Sequence, residues 1–200
     1  MGNKINYSLE FEKEIRHSAG RLPTLLLHSC CAPCSSAVLE VVTQYFDVTV
    51  FYFNPNITPA EEYAKRVCEL KRLLREAVYP HPPKLLEGRY DSSEFFAVAK
   101  GLESLPEGGE RCAKCYRLRL EETARVAAAG HYDYFTTTLS VSPHKNAAKL
   151  NEIGGTLSEK YGVPYLYSDF KKKDGYKRSL ELSREYGLYR QAWCGCGWPA

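Results

Sequence analysis

The sequence predicts one α/β domain around a mostly parallel sheet with flanking helices. Two observations carry that reading. Short apolar or β-branched runs alternate five times with segments of helical periodicity, which is the pattern of parallel strands crossed by helices. Two hundred residues, 44% hydrophobic and 26% charged, suffice for one core, and no repeat or low-complexity tract divides them.

The opening "MGNKINYSLEFEKEIRHSAG" is polar and charged and reads as an added helix. Residues 1–22 are therefore expected as an N-terminal helical extension of a catalytic domain spanning 23–200. The opening holds no apolar signal core, and no apolar run is long enough to cross a bilayer. A soluble, cytoplasmic protein with no membrane partner is the expectation. Residues 25–28 form the first strand candidate and "VTVFYF" the second. Between them residues 36–46 read as a helix capped by Ser35. In "NPNITPAEEYAKRVCELKRLLREA" a turn leads to Thr58 as cap, with Glu61 three residues on and Pro59 at the first helical position. "KLLEG", "YDYFTTTLS" and "PYLYSDF" supply the third to fifth strands, and helices are expected over 92–101, 116–129, 146–161 and 178–186.

Seven of the eight cysteines cluster: Cys30, Cys31 and Cys34; Cys112 and Cys115; Cys194 and Cys196. Without an export signal, such clusters point to metal binding or electron exchange rather than a disulfide framework. Cys68 stands alone among Val67, Leu70 and Leu74 and reads as a packing residue. The first cluster, in "LLLHSCCAPCSS", falls where the first strand ends and the next helix begins. In open α/β sheets sites form there, and the helix N-terminus favours thiolates.

A disulfide between adjacent cysteines is strained. Two pairs, Cys30–Cys31 and the CxxC of "RCAKCYRLRLEE", offer four thiolates, which suit a tetrahedral zinc or a four-iron cluster. Adjacent ligands are less usual for zinc, so the spacing leans toward iron–sulfur without deciding it. "YRQAWCGCGWPA" can close into a small, easily reduced disulfide, supply two more ligands, or leave two idle thiols. Its aromatics Tyr189, Trp193 and Trp198 argue that the tail docks.

Net charge is only +3, but basic residues gather beside the cysteines. Arg111, Lys114, Arg117 and Arg119 surround the CxxC, and a second basic run lies between Asp169 and Arg190. Two such runs suit an anionic substrate.

"HSCCAPCSS", "RCAKCYRLRL", "TTTLSVSPHKN", "SDFKKKDGYKRS" and "YRQAWCGCGW" occur together and in this order. The combination resembles the QueH family of epoxyqueuosine reductases, from about Leu25 to Trp198. The resemblance implies an adenine-nucleotide-α-hydrolase-like fold, in which the cysteine loop replaces a phosphate-binding loop. It implies reduction of the epoxide of epoxyqueuosine to queuosine at the wobble position of tRNA, the last step of queuosine biosynthesis. Cys30, Cys31, Cys112 and Cys115 would hold a [4Fe–4S] cluster, and Cys194 and Cys196 would form a redox-active disulfide. Family members vary between cysteine and an acidic residue at Cys34, which makes it a candidate ligand for an adjacent mononuclear iron. The anticodon loop would stack on Tyr176, Tyr189 or Trp193. Lys171, Lys172, Lys173, Lys177, Arg178, Arg117 and Arg119 would track its phosphates. Tyr116, His28 or water would supply protons, and the sequence names no electron donor. Rival readings are a zinc-stabilised nucleic-acid-binding module without catalysis and a thiol–disulfide oxidoreductase. An ATP-using ligase fits worst, because "SCCAPCSS" holds no glycine for a phosphate loop.

Overall fold

The structure is a computed structural model that describes residues 5–17, 20–191 and 193–198. Strands β1 (Thr24–His28), β2 (Asp47–Tyr52), β3 (Lys84–Glu87) and β4 (Tyr134–Thr137) form an all-parallel sheet in the order β3-β2-β1-β4. Parallel neighbours need crossovers, and helices supply them. Helix α2 (Ala32–Val42) joins β1 to β2, and α3 (Ala60–Glu76) joins β2 to β3. Helices α4 (Ser92–Ala99) and α5 (Glu110–Ala129) lie between β3 and β4. Helix α1 (Tyr7–His17) precedes the sheet, and α6 (Ala147–Tyr161) and α7 (Gly175–Glu185) follow it. This is the predicted α/β class, in a Rossmann-like strand order.

Leu25, Leu27, Val48, Val50 and Tyr52 face one side of the sheet, against Leu39 and Val42 of α2 and Leu70 and Leu73 of α3. Leu26, Phe51 and Phe135 face the other, against Leu120 of α5 and Leu150 and Leu157 of α6. Strands covered on both faces need no polar alternation, which explains the unbroken "LLL". Helix α1 joins the first layer, where the Phe11 ring meets Phe170 edge-on at 5.5 Å. Residues 1–4, 18 and 19 of the expected extension lie outside the described residues.

Four local expectations are corrected. Helix α2 begins at Ala32, not residue 36, with Pro33 in its first turn and Cys31 at the N-cap. Ser35, expected as the cap, lies inside the helix and donates back to the Cys31 carbonyl at 2.9 Å. Pro59 occupies the cap position of α3, and the Thr58 N–H donates to Gly195 O at 2.8 Å instead. The fifth strand reduces to one parallel bridge between Phe135 and Tyr165. Beyond it the Asn151 side chain of α6 takes the Ser168 backbone, at 3.0 Å from its N–H and 2.8 Å from its carbonyl, and the chain leaves the sheet. Cys68 is exposed, because α3 turns Arg66, Val67, Leu70 and Leu73 inward.

Candidate metal and redox site

In this strand order the direction of winding reverses between β1 and β4, and Cys30, Cys31 and Cys34 follow the carboxyl end of β1. His28 closes β1 and is wholly buried. The Phe53 carbonyl can only accept, so His28 Nε2 donates to it at 3.1 Å. Nδ1 then accepts from the Thr137 hydroxyl at 3.0 Å, and Thr137 Oγ1 in turn accepts from Leu139 N–H. Burial, reinforced by the Arg119 charge, pushes the imidazole pKa down to about 4. Both ring nitrogens are committed and the ring is neutral near pH 7. His28 therefore ties the strand ends together and is not the proton donor its position suggested.

The loop after His28 brings the sulfurs of Cys30, Cys31 and Cys34 within 4.8 Å of one another, with 3.7 Å between those of Cys30 and Cys31. Among the described residues this is the one such group of three metal-ligating side chains. Cys30 also approaches Thr138 Oγ1 at 3.9 Å, beyond the end of β4. Cys31 holds the charge of the trio. Hydrogen bonds from Cys30 and Cys34 bring its pKa well below the ordinary thiol value. Donation to Cys31 raises the Cys30 pKa to about 11, and Cys34 moves up as well. The expected fall in thiol pKa at the α2 N-terminus holds for Cys31 at its cap, but Cys30 and Cys34, which donate to it, move the other way.

Cys112 and Cys115 occupy the first turns of α5, both buried, and stand outside that trio. The Gly108 N–H donates to Cys112 Sγ at 3.2 Å. Burial raises the Cys115 pKa to about 11. Cys115 packs with Phe95, Ala99 and Cys196, so α4 and the C-terminal tail close over the CxxC.

Thr58 and Arg66 hold that tail. Besides the Thr58 bond to Gly195, Arg66 Nη1 donates to Cys194 O at 3.4 Å. Gly195 has φ +101, and a Cβ there would meet Ile57 and the Arg66 guanidinium at 3.2 Å, so the CGC turn requires glycine. The Cys196 thiol donates to Cys194, and with the positive charge of Lys145 this lowers the Cys194 pKa to about 5. Lys145 Nζ lies 3.4 Å from Cys194 Sγ and pairs with Glu107. Burial opposes the lysine's charge, but Cys194, Tyr116 and Glu107 outweigh it and hold the ammonium above its usual range. Sequence reasoning missed Lys145 although it lies in the quoted "TTTLSVSPHKN". Nothing local says that a lysine meets a thiol 49 residues on.

A cleft of about 430 Å³ opens over these groups, lined by Cys30, Cys31, Cys34, Arg119, Lys145 and Cys194 among others. Tyr176 and Trp193 line its mouth, as their candidacy for base stacking requires. Tyr189 is engaged instead, with its hydroxyl on Glu62 and Lys65 over its ring. Tyr116 is buried with an unpartnered hydroxyl, and burial raises its pKa, so it keeps its proton. The basic run on α5 divides. Lys114 and Arg117 are exposed, whereas Arg119 is 2% exposed and cannot track a phosphate. Of the other run, Lys172 and Lys177 are exposed, while Arg178 pairs with Glu40.

Arg119 also tests whether a metal group suits the site. Among the described residues its hydrogen bonds reach only Cys115 O and Asn54 Oδ1, each at 3.4 Å, and it meets no carboxylate. Burial opposes its charge, but Cys115, Cys194 and Cys30 together raise its pKa. A buried cation whose only anionic neighbours are sulfurs fits thiolates held in the ionised state. An all-sulfur donor set suits iron–sulfur, zinc or copper(I).

A family model described as Epoxyqueuosine reductase QueH matches residues 25–200. The chain belongs to the QueH family. A Staphylococcus epidermidis protein named Epoxyqueuosine reductase QueH is 42% identical over 203 residues, covering 98% of this chain and 85% of its own length. One of that name from Streptococcus pyogenes serotype M1 is 40% identical over 201 residues, covering 98% and 79%. A third, from Thermotoga maritima, is 36% identical over 176 residues, covering 86% and 88%. The QueH match takes in all seven clustered cysteines and begins after α1. No described helix of this QueH chain is long and apolar enough to cross a membrane.

Proposed function

We propose that the chain reduces epoxyqueuosine to queuosine at the wobble position of tRNA, in the cytoplasm. The observation that carries this reading is one cleft onto which Cys30, Cys31, Cys34 and Cys194 all open, at the switch point of a QueH-family sheet.

Removing the epoxide oxygen takes two electrons and two protons and yields an alkene and water. Oxidation of the Cys194 thiolate and the Cys196 thiol to a disulfide releases two electrons and one proton, water supplies the second proton, and an external reductant restores the pair. Lys145 keeps Cys194 ionised for this exchange, and the Arg66 and Thr58 bonds hold the pair at the cleft. Cys30, Cys31, Cys112 and Cys115 would hold a [4Fe–4S] cluster, with Cys34 toward an adjacent mononuclear iron. When bound, these groups supply one-electron transfer and a Lewis acid for the epoxide oxygen. Arg119 supplies fixed positive charge beside the thiolates. Exposed Lys172 and Lys177 would meet anticodon-loop phosphates, joined by Arg117, which is exposed and pairs with Glu121 at 3.9 Å.

The test is anaerobic reconstitution with iron and sulfide, metal analysis, and incubation with epoxyqueuosine tRNA and dithionite. Queuosine in the nucleoside digest is the expected result. Its absence from protein with verified cluster content refutes the reaction, and zinc as the only bound metal refutes the cluster.

A further inference from the structure

The cleft wall beside the cysteine trio carries three polar atoms that the metal and redox chemistry does not use. Asn56 is 1% exposed and its Oδ1 has no hydrogen-bond partner among the described residues. Arg66 is 3% exposed and its Nη2 is likewise unpartnered. Gln191 lies near enough to Cys31 to help lower its pKa, and its Oε1 has no hydrogen-bond partner among the described residues. All three residues line the same cleft. Leaving such groups buried without partners costs about 1–3 kcal/mol each, so the cluster has the form of a site that is completed by a ligand.

The chemistry of the wall selects the ligand class. Arg66 is not a spare cation, because its Nε already donates to Glu62 Oε1 at 2.7 Å. Two amide oxygens lining the same cleft would repel a phosphate or carboxylate. What complements one N–H donor and two amide oxygens is a neutral group with several oxygens, some bearing protons. A hydroxyl also satisfies either end of an amide, so vicinal hydroxyls suit Asn56 and Gln191 whichever way each amide faces the cleft. The Gln191 contact to Cys31 sets this group against the cysteine loop.

We propose that Asn56, Arg66 and Gln191 form a subsite for the hydroxylated cyclopentane ring of the substrate, with the hydroxyls on the two amides and a ring oxygen on Arg66 Nη2. This rests on the epoxyqueuosine reading and adds to it the residues that recognise the ring. It predicts that the protein reads the ring itself and not only the RNA that carries it.

The experiment uses anaerobically reconstituted full-length protein and two labelled anticodon stem-loops, one with queuosine and one with guanosine at the wobble position. Queuosine keeps the ring hydroxyls but has no epoxide, so binding is read without turnover. Wild-type protein is expected to favour the queuosine loop by about tenfold or more. Asn56→Leu and Gln191→Leu should each remove most of that preference while leaving the guanosine-loop affinity unchanged. Gln191 lies on the tail and outside the core, so its variant remains informative if Asn56→Leu fails to fold. A wild type with no preference, or folded variants that keep it, overturns the subsite. Reduction of epoxyqueuosine tRNA by the same wild-type preparation, run in parallel, judges the reaction separately.

Discussion

Lys145→Gln tests whether the tail pair is activated by charge. Lys145 Nζ stands 3.4 Å from Cys194 Sγ, and its side chain is 9% exposed. At an effective dielectric of about 20, two unit charges at that separation attract by about 5 kcal/mol. Glu107 opposes part of this from the other side of the ammonium, and the Cys196 and Arg119 contributions survive the substitution. A net rise of roughly 1–2 pK units is therefore expected, at about 1.4 kcal/mol per unit. The sign follows from the direction of the shift. A lowered pKa means that the thiolate is present above about 5 and is lost as pH falls through that value. In the variant the same loss begins one to two units higher. The assay is peptide-resolved alkylation of reduced, metal-free protein by iodoacetamide as a function of pH, with Cys68→Ser removing the exposed thiol on α3. The inflection is the readout rather than the plateau rate, because a more basic thiolate is also intrinsically more nucleophilic. A wild-type inflection near the ordinary thiol value, or one that Lys145→Gln leaves in place, refutes the reasoning.

Other substitutions probe other parts of the same arrangement. Arg119→Gln should make the bound cluster harder to reduce, shifting its midpoint negative by about 59 mV or more, a tenfold change for a one-electron couple, as read by EPR-monitored titration. Cys34→Ser should leave the four-iron signal in place and remove about one further iron in metal analysis, if Cys34 serves a mononuclear site. Glu62→Gln strands the Arg66 guanidinium, 3% exposed, without its carboxylate, and should cost about 3 kcal/mol in urea unfolding. Gly154→Ala would drive a methyl into the Tyr165 ring, so a loss of about 1–3 kcal/mol is expected, and an unchanged midpoint would disprove the tight α6 contact.

The strand and helix alternation was legible because both faces of the sheet are covered. Apolar runs such as "LLL" and the β-branched and aromatic "VTVFY" then stand out from amphipathic helices. Helix starts were less legible. Cys31 caps α2 and Pro59 caps α3, neither through a side-chain hydrogen bond, so propensity rules pointed to Ser35 and Thr58. Cys68 was misjudged because apolar residues at 67, 70 and 74 suggest a stripe without fixing its edge, and the buried side runs through 66, 67, 70 and 73 instead. The cysteine groups were evident from spacing, but their cations were not. Arg119 and Lys145 look like any surface base in sequence, and only packing shows that one faces Cys115 O and the other Cys194 Sγ.

Those two cations explain how three distant cysteine groups act as one site. Cys30 and Cys31 come from the β1 end, Cys112 and Cys115 from α5, and Cys194 from the tail. Among the described residues no backbone hydrogen bond joins these three groups. What they share is field. Arg119 acts on Cys30, Cys115 and Cys194 at once, and Lys145 acts on Cys115 and Cys194. A buried guanidinium without a carboxylate costs several kcal/mol unless anions surround it. Ionised sulfurs therefore stabilise the fold as much as the cations stabilise them. On that account the interior holds Cys31 and Cys194 as thiolates before any ligand arrives, while Cys30, Cys34 and Cys115, whose pKa values are raised, give up their protons as a metal binds.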